Sequence, residues 1–196
     1  MTRWQTGASV ADSWLGKLER GEMREVWQAP GLPFSIGPGE MALLGGAPGS
    51  GKTAMVMQYT MDVLQRYGGL KAIVLNVEMS SESLLSRTAA RVGKLDAGVL
   101  HRLGGPDGGP MMEHQKDRAR TALERSRMAL ERLYFLDDTE TLTGVAECAR
   151  DTGARLIILD YAQRIRPCAD GGSNARERIN QLCTECRHLA QAGCGV

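Results

Sequence analysis

The sequence predicts an α/β fold, a mostly parallel sheet with helices on both faces. Two observations carry that reading. Short, almost wholly apolar runs alternate with helical stretches, and a glycine-rich loop stands between the first run and the first long helix. Strands buried on both faces read as continuous apolar runs, and a parallel pair needs a crossover long enough to hold a helix.

Residues 1–30 read as an N-terminal appendage or linker, and 31–196 as the core. The appendage holds a short amphipathic stretch, Val10–Leu18, with Trp14 and Leu15, then Trp27 before the turn Pro30-Gly31-Leu32-Pro33. It is expected to pack on its own domain, the alternative being a neighbouring subunit. Met41–Gly45 is expected to form a short buried strand feeding the glycine loop. Thr53–Tyr67 reads as a helix with Ala54, Met57, Met61 and Leu64 inward and a Gly68-Gly69 stop.

Ala72–Val77 is the second apolar strand, followed by two short helices, Ser81–Val92 and Leu95–Leu103. Gly104–Pro110 is a breaker cluster. A long charged helix, Met111–Arg132, presents Ala119, Ala122, Leu123, Ser126, Leu130 and Leu133 on its inner stripe. Tyr134-Phe135-Leu136 is a third strand, Gly144–Asp151 a helix, and Leu156–Leu159 a fourth strand ending at Asp160. A loop, Arg164–Ser173, leads to a helix from Asn174 to Gln191. Gly193 is a helix C-cap, and Gly195-Val196 is where the next strand begins, so the core is expected to lack its C-terminal strands.

Composition narrows the function classes. Net charge is +1 with a pI near 7.7, so any nucleic-acid site must be local. No apolar run nears the roughly 20 residues that cross a bilayer, and the N-terminus lacks a signal-peptide core. Five cysteines without framework spacing fit a reducing cytoplasm. Cys183 and Cys186 form a C-x-x-C near His188 and Cys194, but no second pair follows. They read as free thiols on a core-facing helix in preference to a zinc site.

Gly46-Ala47-Pro48-Gly49-Ser50-Gly51-Lys52-Thr53 matches G-x-x-x-x-G-K-[ST] in full. Glycines let the backbone fold into a nest whose N–H groups converge on phosphate oxygens, where a side chain would collide. The following helix adds its positive N-terminal end. Lys52 is then expected to reach the β- and γ-phosphates of ATP and Thr53 to ligate Mg²⁺. Asp160, at the carboxyl end of an apolar strand, falls in the crevice where open α/β sheets bind ligands, and would hold the Mg²⁺ shell through water. Glu78, just past the strand Ala72–Val77, reads as the carboxylate that orients and deprotonates the attacking water. The alternative for Glu78 is a helix-cap acid for Ser81–Val92.

Three further segments give the sequence a family resemblance. Asn76-Val77-Glu78-Met79-Ser80 is similar to the S-L-E-M-[SP] segment of DnaB-family replicative helicases. Leu159-Asp160-Tyr161-Ala162-Gln163 is similar to their D-Y-L-Q segment, and Asp137-Asp138-Thr139 with Leu142-Thr143 to their D-D-T-P-x-L-[ST] stretch. With the phosphate loop they stand in the family's order across most of Gly31–Val196. The resemblance implies a RecA-like P-loop ATPase core that works in a homo-oligomeric ring and moves along single-stranded DNA during replication. It makes Glu78 the catalytic glutamate and places Gln163 near the γ-phosphate. It also turns the loop after Asp160 toward DNA, with Arg164, Arg166, Asn174, Arg176 and Arg178 as backbone-gripping residues.

Tyr161–Val196 holds five Arg against Asp170, Glu177 and Glu185, which suits a salt-sensitive, sequence-independent phosphate contact. The alternative is a solvated loop beside a surface helix. Departures from the family pattern are the N-terminal helical domain, the downstream sensor and basic finger, and Ala162 in place of a larger apolar residue. They lead to the expectation of weak hydrolysis by these residues alone. Two other functions fit the same residues: a recombinase-like or regulatory ATPase without unwinding, and a nucleotide-dependent binding module.

Overall fold

The computed structural model describes residues 5–22, 24–102, 110–137, 141–166 and 174–196, without the side chains of residues 101 and 102. Helix α1 (Gly7–Glu19) starts at Thr6, whose side chain accepts the Ser9 N–H. None of its residues is buried, and Trp14 is 61% exposed, so this stretch does not pack on its own domain. Strands β1 (Trp27–Gln28) and β2 (Ser35–Ile36) pair antiparallel across the Pro30–Pro33 turn. Trp27, by contrast with Trp14, is fully buried in the core.

Helix α2 (Lys52–Arg66) follows the glycine loop. It buries Met57, Met61 and Leu64 as expected, together with Tyr59, Thr60 and Val63. Removing each of the larger apolar side chains from water stabilises the fold by about 1.5–3 kcal/mol. Ala54 is exposed, because the inward face begins only a turn into the helix. Next come β3 (Ala72–Asn76), α3 (Ser81–Gly93), α4 (Ala97–Arg102) and α5 (Glu113–Leu130). Leu133 does not belong to the α5 stripe but opens β4 (Leu133–Leu136). Helix α6 (Leu142–Thr152), β5 (Leu156–Asp160), a 3₁₀ turn at Ala162–Arg164 and α7 (Ala175–Gln191) complete the chain.

The main sheet has the order β4-β3-β5, all parallel. Alternation along the strands separates two cores. Ala72, Val74, Leu156 and Ile158 face α2 and the Trp27 segment, while Ile73, Leu75 and Ile157 face α6 and α7. Helices α3, α4 and α5 add a smaller cluster around Ala89, Ala90 and Leu100.

Met41–Gly45 is not the buried strand the sequence led us to expect: it has no strand geometry, and Leu43 is 84% exposed. The reason lies in its partners. Beyond β5 the sheet continues through Cys194–Val196, whose Gly195 bridges Leu156 in the parallel sense. Val196 in turn donates to the Glu40 carbonyl and accepts from Ala42 N–H at 3.0 and 2.8 Å. These bonds bring the residues ahead of the glycine loop to the sheet only as far as Ala42. Gly195 is required here, since a Cβ would lie 2.6 Å from the Ile36 side chain and 2.8 Å from the Trp27 ring. The C-cap of α7 is Ala192, not Gly193; Gly193, one residue further on, takes φ 97°, the left-handed turn that glycine favours just past a helix end.

Candidate functional site

The glycine loop is exposed and shaped by its sequence. Gly49 and Gly51 take φ of 77° and 87°, in the left-handed region that L side chains avoid. A Cβ on Gly46 would meet the Ser50 hydroxyl at 2.8 Å, so that side chain would have to turn aside. Gly51 is the N-cap of α2 and supplies no side-chain acceptor, which leaves the first helical amides open to an outside anion.

Lys52 folds back over this loop and donates to the carbonyls of Gly46 and Ala47, each at 2.9 Å. Among the described residues it makes no ion pair, so its charge is met by dipoles alone. A concave backbone, an ammonium group and a free helix N-terminus are the donor set a polyphosphate requires. Thr53 and Asp160 contribute oxygen donors, the chemistry that magnesium takes. The residues therefore fit a magnesium–nucleotide ligand.

Strand parity places the acids. Asn76 and Asp160 are direct register partners on β3 and β5. They continue the series Ala72, Val74 and Leu156, Ile158 that faces α2. Asp160 is therefore on the side of the sheet from which the glycine-loop helix starts. The Asn76 amide nitrogen donates to Asp160 Oδ2 at 2.8 Å, and Asn76 Oδ1 accepts the N–H groups of Glu78 and Met79 at 2.9 and 2.6 Å. Asn76 is 5% exposed. Sequence reasoning passed over it, although a lone amide side chain inside an apolar strand was the available signal.

Glu78 stands exposed in the bend after β3. It is not the cap of α3: that role belongs to Ser80, whose hydroxyl accepts Ser83 N–H at 3.2 Å. The helix-cap alternative for Glu78 is thereby removed. Asp137 accepts from the Ser81 hydroxyl at 2.6 Å and ties the end of β4 to the start of α3. Asp138 and Thr139 lie outside the described residues, as do 104–109 and the 167–173 part of the loop before α7.

The basic residues divide. Gln163, Arg164, Arg166 and Arg178 line one hollow of about 280 Å³ with Ile165 and Ile179. Arg164 lies over the Tyr161 ring, 5.7 Å from its centroid. Asn174 and Arg176 are not in that lining, and Asn174 caps α7 by accepting Glu177 N–H at 3.0 Å. Cys183 and Cys186 sit on α7 as free thiols, and Cys186 is buried in the core.

A parallel α/β sheet with a glycine loop opening a helix beside an acidic strand end has the RecA-like P-loop architecture. Residues 35–193 match the DnaB-like helicase C terminal domain, and the chain belongs to that family. A solved structure titled "The Structure Of A DnaB-Like Replicative Helicase And Its Interactions With Primase" is similar to it. The TM-score is 0.75 at 13% identity, covering 97% of this chain and 46% of that one. At that identity the likeness speaks for the fold. No curated protein matches the sequence.

Proposed function

We propose that this chain binds and hydrolyses ATP as the motor domain of a DnaB-like helicase, working in a homo-oligomeric ring that moves along single-stranded DNA in replication. One observation carries the reading: α2, the helix that the glycine loop opens, packs on the sheet face whose register Asp160 continues. A bound Mg²⁺ would be held by Thr53 and Asp160 and would offset the charge of the phosphate tail. The loop amides of Gly46, Ala47, Gly49 and Gly51 bind the phosphate tail, joined by that of Ser50 once it leaves the Ala47 carbonyl. Lys52 turns from the Gly46 and Ala47 carbonyls toward the phosphates, and Thr53 and Asp160 hold the cation. Glu78 takes the proton of the attacking water, and Gln163 lies where the nucleotide state is passed to the arginine-lined hollow.

Arg164, Arg166 and Arg178 supply phosphate contacts for DNA, with Arg176 on the same helix and Asn174 fixing that helix start. Membership of the helicase family supports the DNA assignment, as does the grouping of three arginines around one hollow. No helix among the described residues is long and apolar enough to cross a membrane; the cytoplasmic placement follows from the replication role proposed here.

The test is equilibrium binding of a fluorescent ATP analogue with and without Mg²⁺, followed by hydrolysis with and without single-stranded DNA. Lys52→Ala is expected to weaken binding by about 100-fold, the loss of charge-assisted hydrogen bonds worth about 3 kcal/mol. Absence of micromolar binding by the unaltered chain sinks the proposal. Single-stranded DNA affinity of the Arg164→Ala/Arg178→Ala variant should have a salt slope shallower by about 1.4, about 0.7 for each phosphate no longer neutralised. Nucleotide binding without DNA-dependent turnover would favour a nucleotide-switched binding module.

A further inference from the structure

We infer that Asn76 is a positioning residue that locks the cation-holding carboxylate and the water-activating glutamate into one unit. The inference rests on the nucleotide-site reading above. The orientation of the Asn76 amide follows from hydrogen-bond chemistry. Backbone N–H groups only donate, so the two from Glu78 and Met79 must face Oδ1. The NH₂ group then points at Asp160 and donates to its Oδ2. All three bonds are satisfied by one side chain in one orientation. At 5% exposure, water offers no ready substitute for a missing partner.

The consequences run in both directions. Asp160 Oδ2 is committed to Asn76, so rotation of that carboxylate breaks a bond at a largely buried group. The backbone at Glu78 and Met79, where β3 has ended and no strand ladder holds it, takes its direction from the same amide. Other side chains cannot reproduce this. A serine hydroxyl has one proton and less reach. An aspartate would set two carboxylates against each other, and leucine offers neither donor nor acceptor. Ligand-orienting partners of this kind, outside the ligand set itself, typically change metal affinity by about 10- to 100-fold.

The experiment uses the full chain and a fluorescent non-hydrolysable ATP analogue, titrated in excess Mg²⁺ and again in EDTA, with thermal melting as a check on folding. For Asn76→Ala, the affinity in EDTA should stay within about twofold, since the glycine loop is untouched. The Mg²⁺ concentration giving half-maximal tightening should rise by about 10-fold or more. In the Asp160→Asn background, adding Asn76→Ala should cause little further change, because both act through the same carboxylate. Asn76→Ser carries the same test should the alanine variant fail to fold. A folded variant with unchanged Mg²⁺ dependence overturns the inference while leaving the nucleotide site standing. If the unaltered chain binds no analogue in either condition, the site reading fails and this inference with it.

Discussion

Replacing Tyr59 by Phe removes a single hydroxyl that joins the Trp27–Ile36 strand pair to α2. That hydroxyl donates to the Trp27 carbonyl at 2.6 Å and accepts Ile36 N–H at 3.2 Å, and Tyr59 is 2% exposed. Phe keeps the ring and its packing on Phe34, so the change isolates the polar part. A buried donor or acceptor left without its partner costs about 1–3 kcal/mol, so we expect a loss of about 2–4 kcal/mol at pH 7. With a urea slope of about 2 kcal/mol per molar, the unfolding midpoint should fall by about 1–2 M.

The pH dependence sharpens the test. Burial pushes the Tyr59 hydroxyl up from 10.0 to about 12. Below pH 10 both folded and unfolded chains keep the proton, and the contribution is fully present. Between pH 10 and 12 the unfolded chain releases it while the folded chain retains it, so folding stability falls with rising pH. The loss is about 1.4 kcal/mol per pH unit, or about 3 kcal/mol across the window. Phe has no proton to lose. The gap between the two proteins, from urea midpoints at pH 8 to 11.5, should therefore narrow steadily above pH 10. Parallel curves would refute the buried, doubly bonded hydroxyl.

Arg132 makes a second structural prediction. Its guanidinium donates to the carbonyls of Leu64, Tyr67 and Leu70 at 2.5–3.0 Å, closing the C-terminal end of α2 where a positive charge is also favoured. Arg132→Ala should cost about 3 kcal/mol, seen as a drop in melting temperature of about 6–12 °C, and Arg132→Lys should recover little because it lacks the fork. Cys186 supplies a third. Burial pushes its thiol up to about 11, so at pH 8 only about a thousandth is thiolate, and iodoacetamide should leave it unmodified until urea unfolds the chain. Rapid alkylation of the native protein at Cys186 would contradict its place in the α6–α7 core.

The parts legible in the sequence were those set by local chemistry. The glycine loop declares itself because few residue types permit its backbone, and φ of 77° and 87° at Gly49 and Gly51 bear that out. The apolar runs at β3, β4 and β5 were readable because a strand covered on both sides has no polar face to disguise it. What failed depended on distant partners. Met41–Gly45 has the composition of a strand, but its backbone finds hydrogen bonds only as far as Ala42, and composition cannot report that. Tyr59 and Arg132 read as ordinary members of their helices. Their partners are 23 to 68 residues away in sequence.

One part of the site was readable in principle, by counting in twos. Positions 72, 74 and 76 share a face with 156, 158 and 160 once β3 and β5 pair in register. That parity sends Asp160 toward α2 and sends Leu159 into the opposite core. The chain then turns, and within five residues Ile165 is buried in that opposite core, 5% exposed. Gln163, Arg164 and Arg166 flank this anchor at the mouth of the arginine-lined hollow. The short path from the acidic strand end to the basic hollow thus crosses from one face of the sheet to the other. The proposed nucleotide site and the proposed DNA contacts therefore share one short stretch of chain.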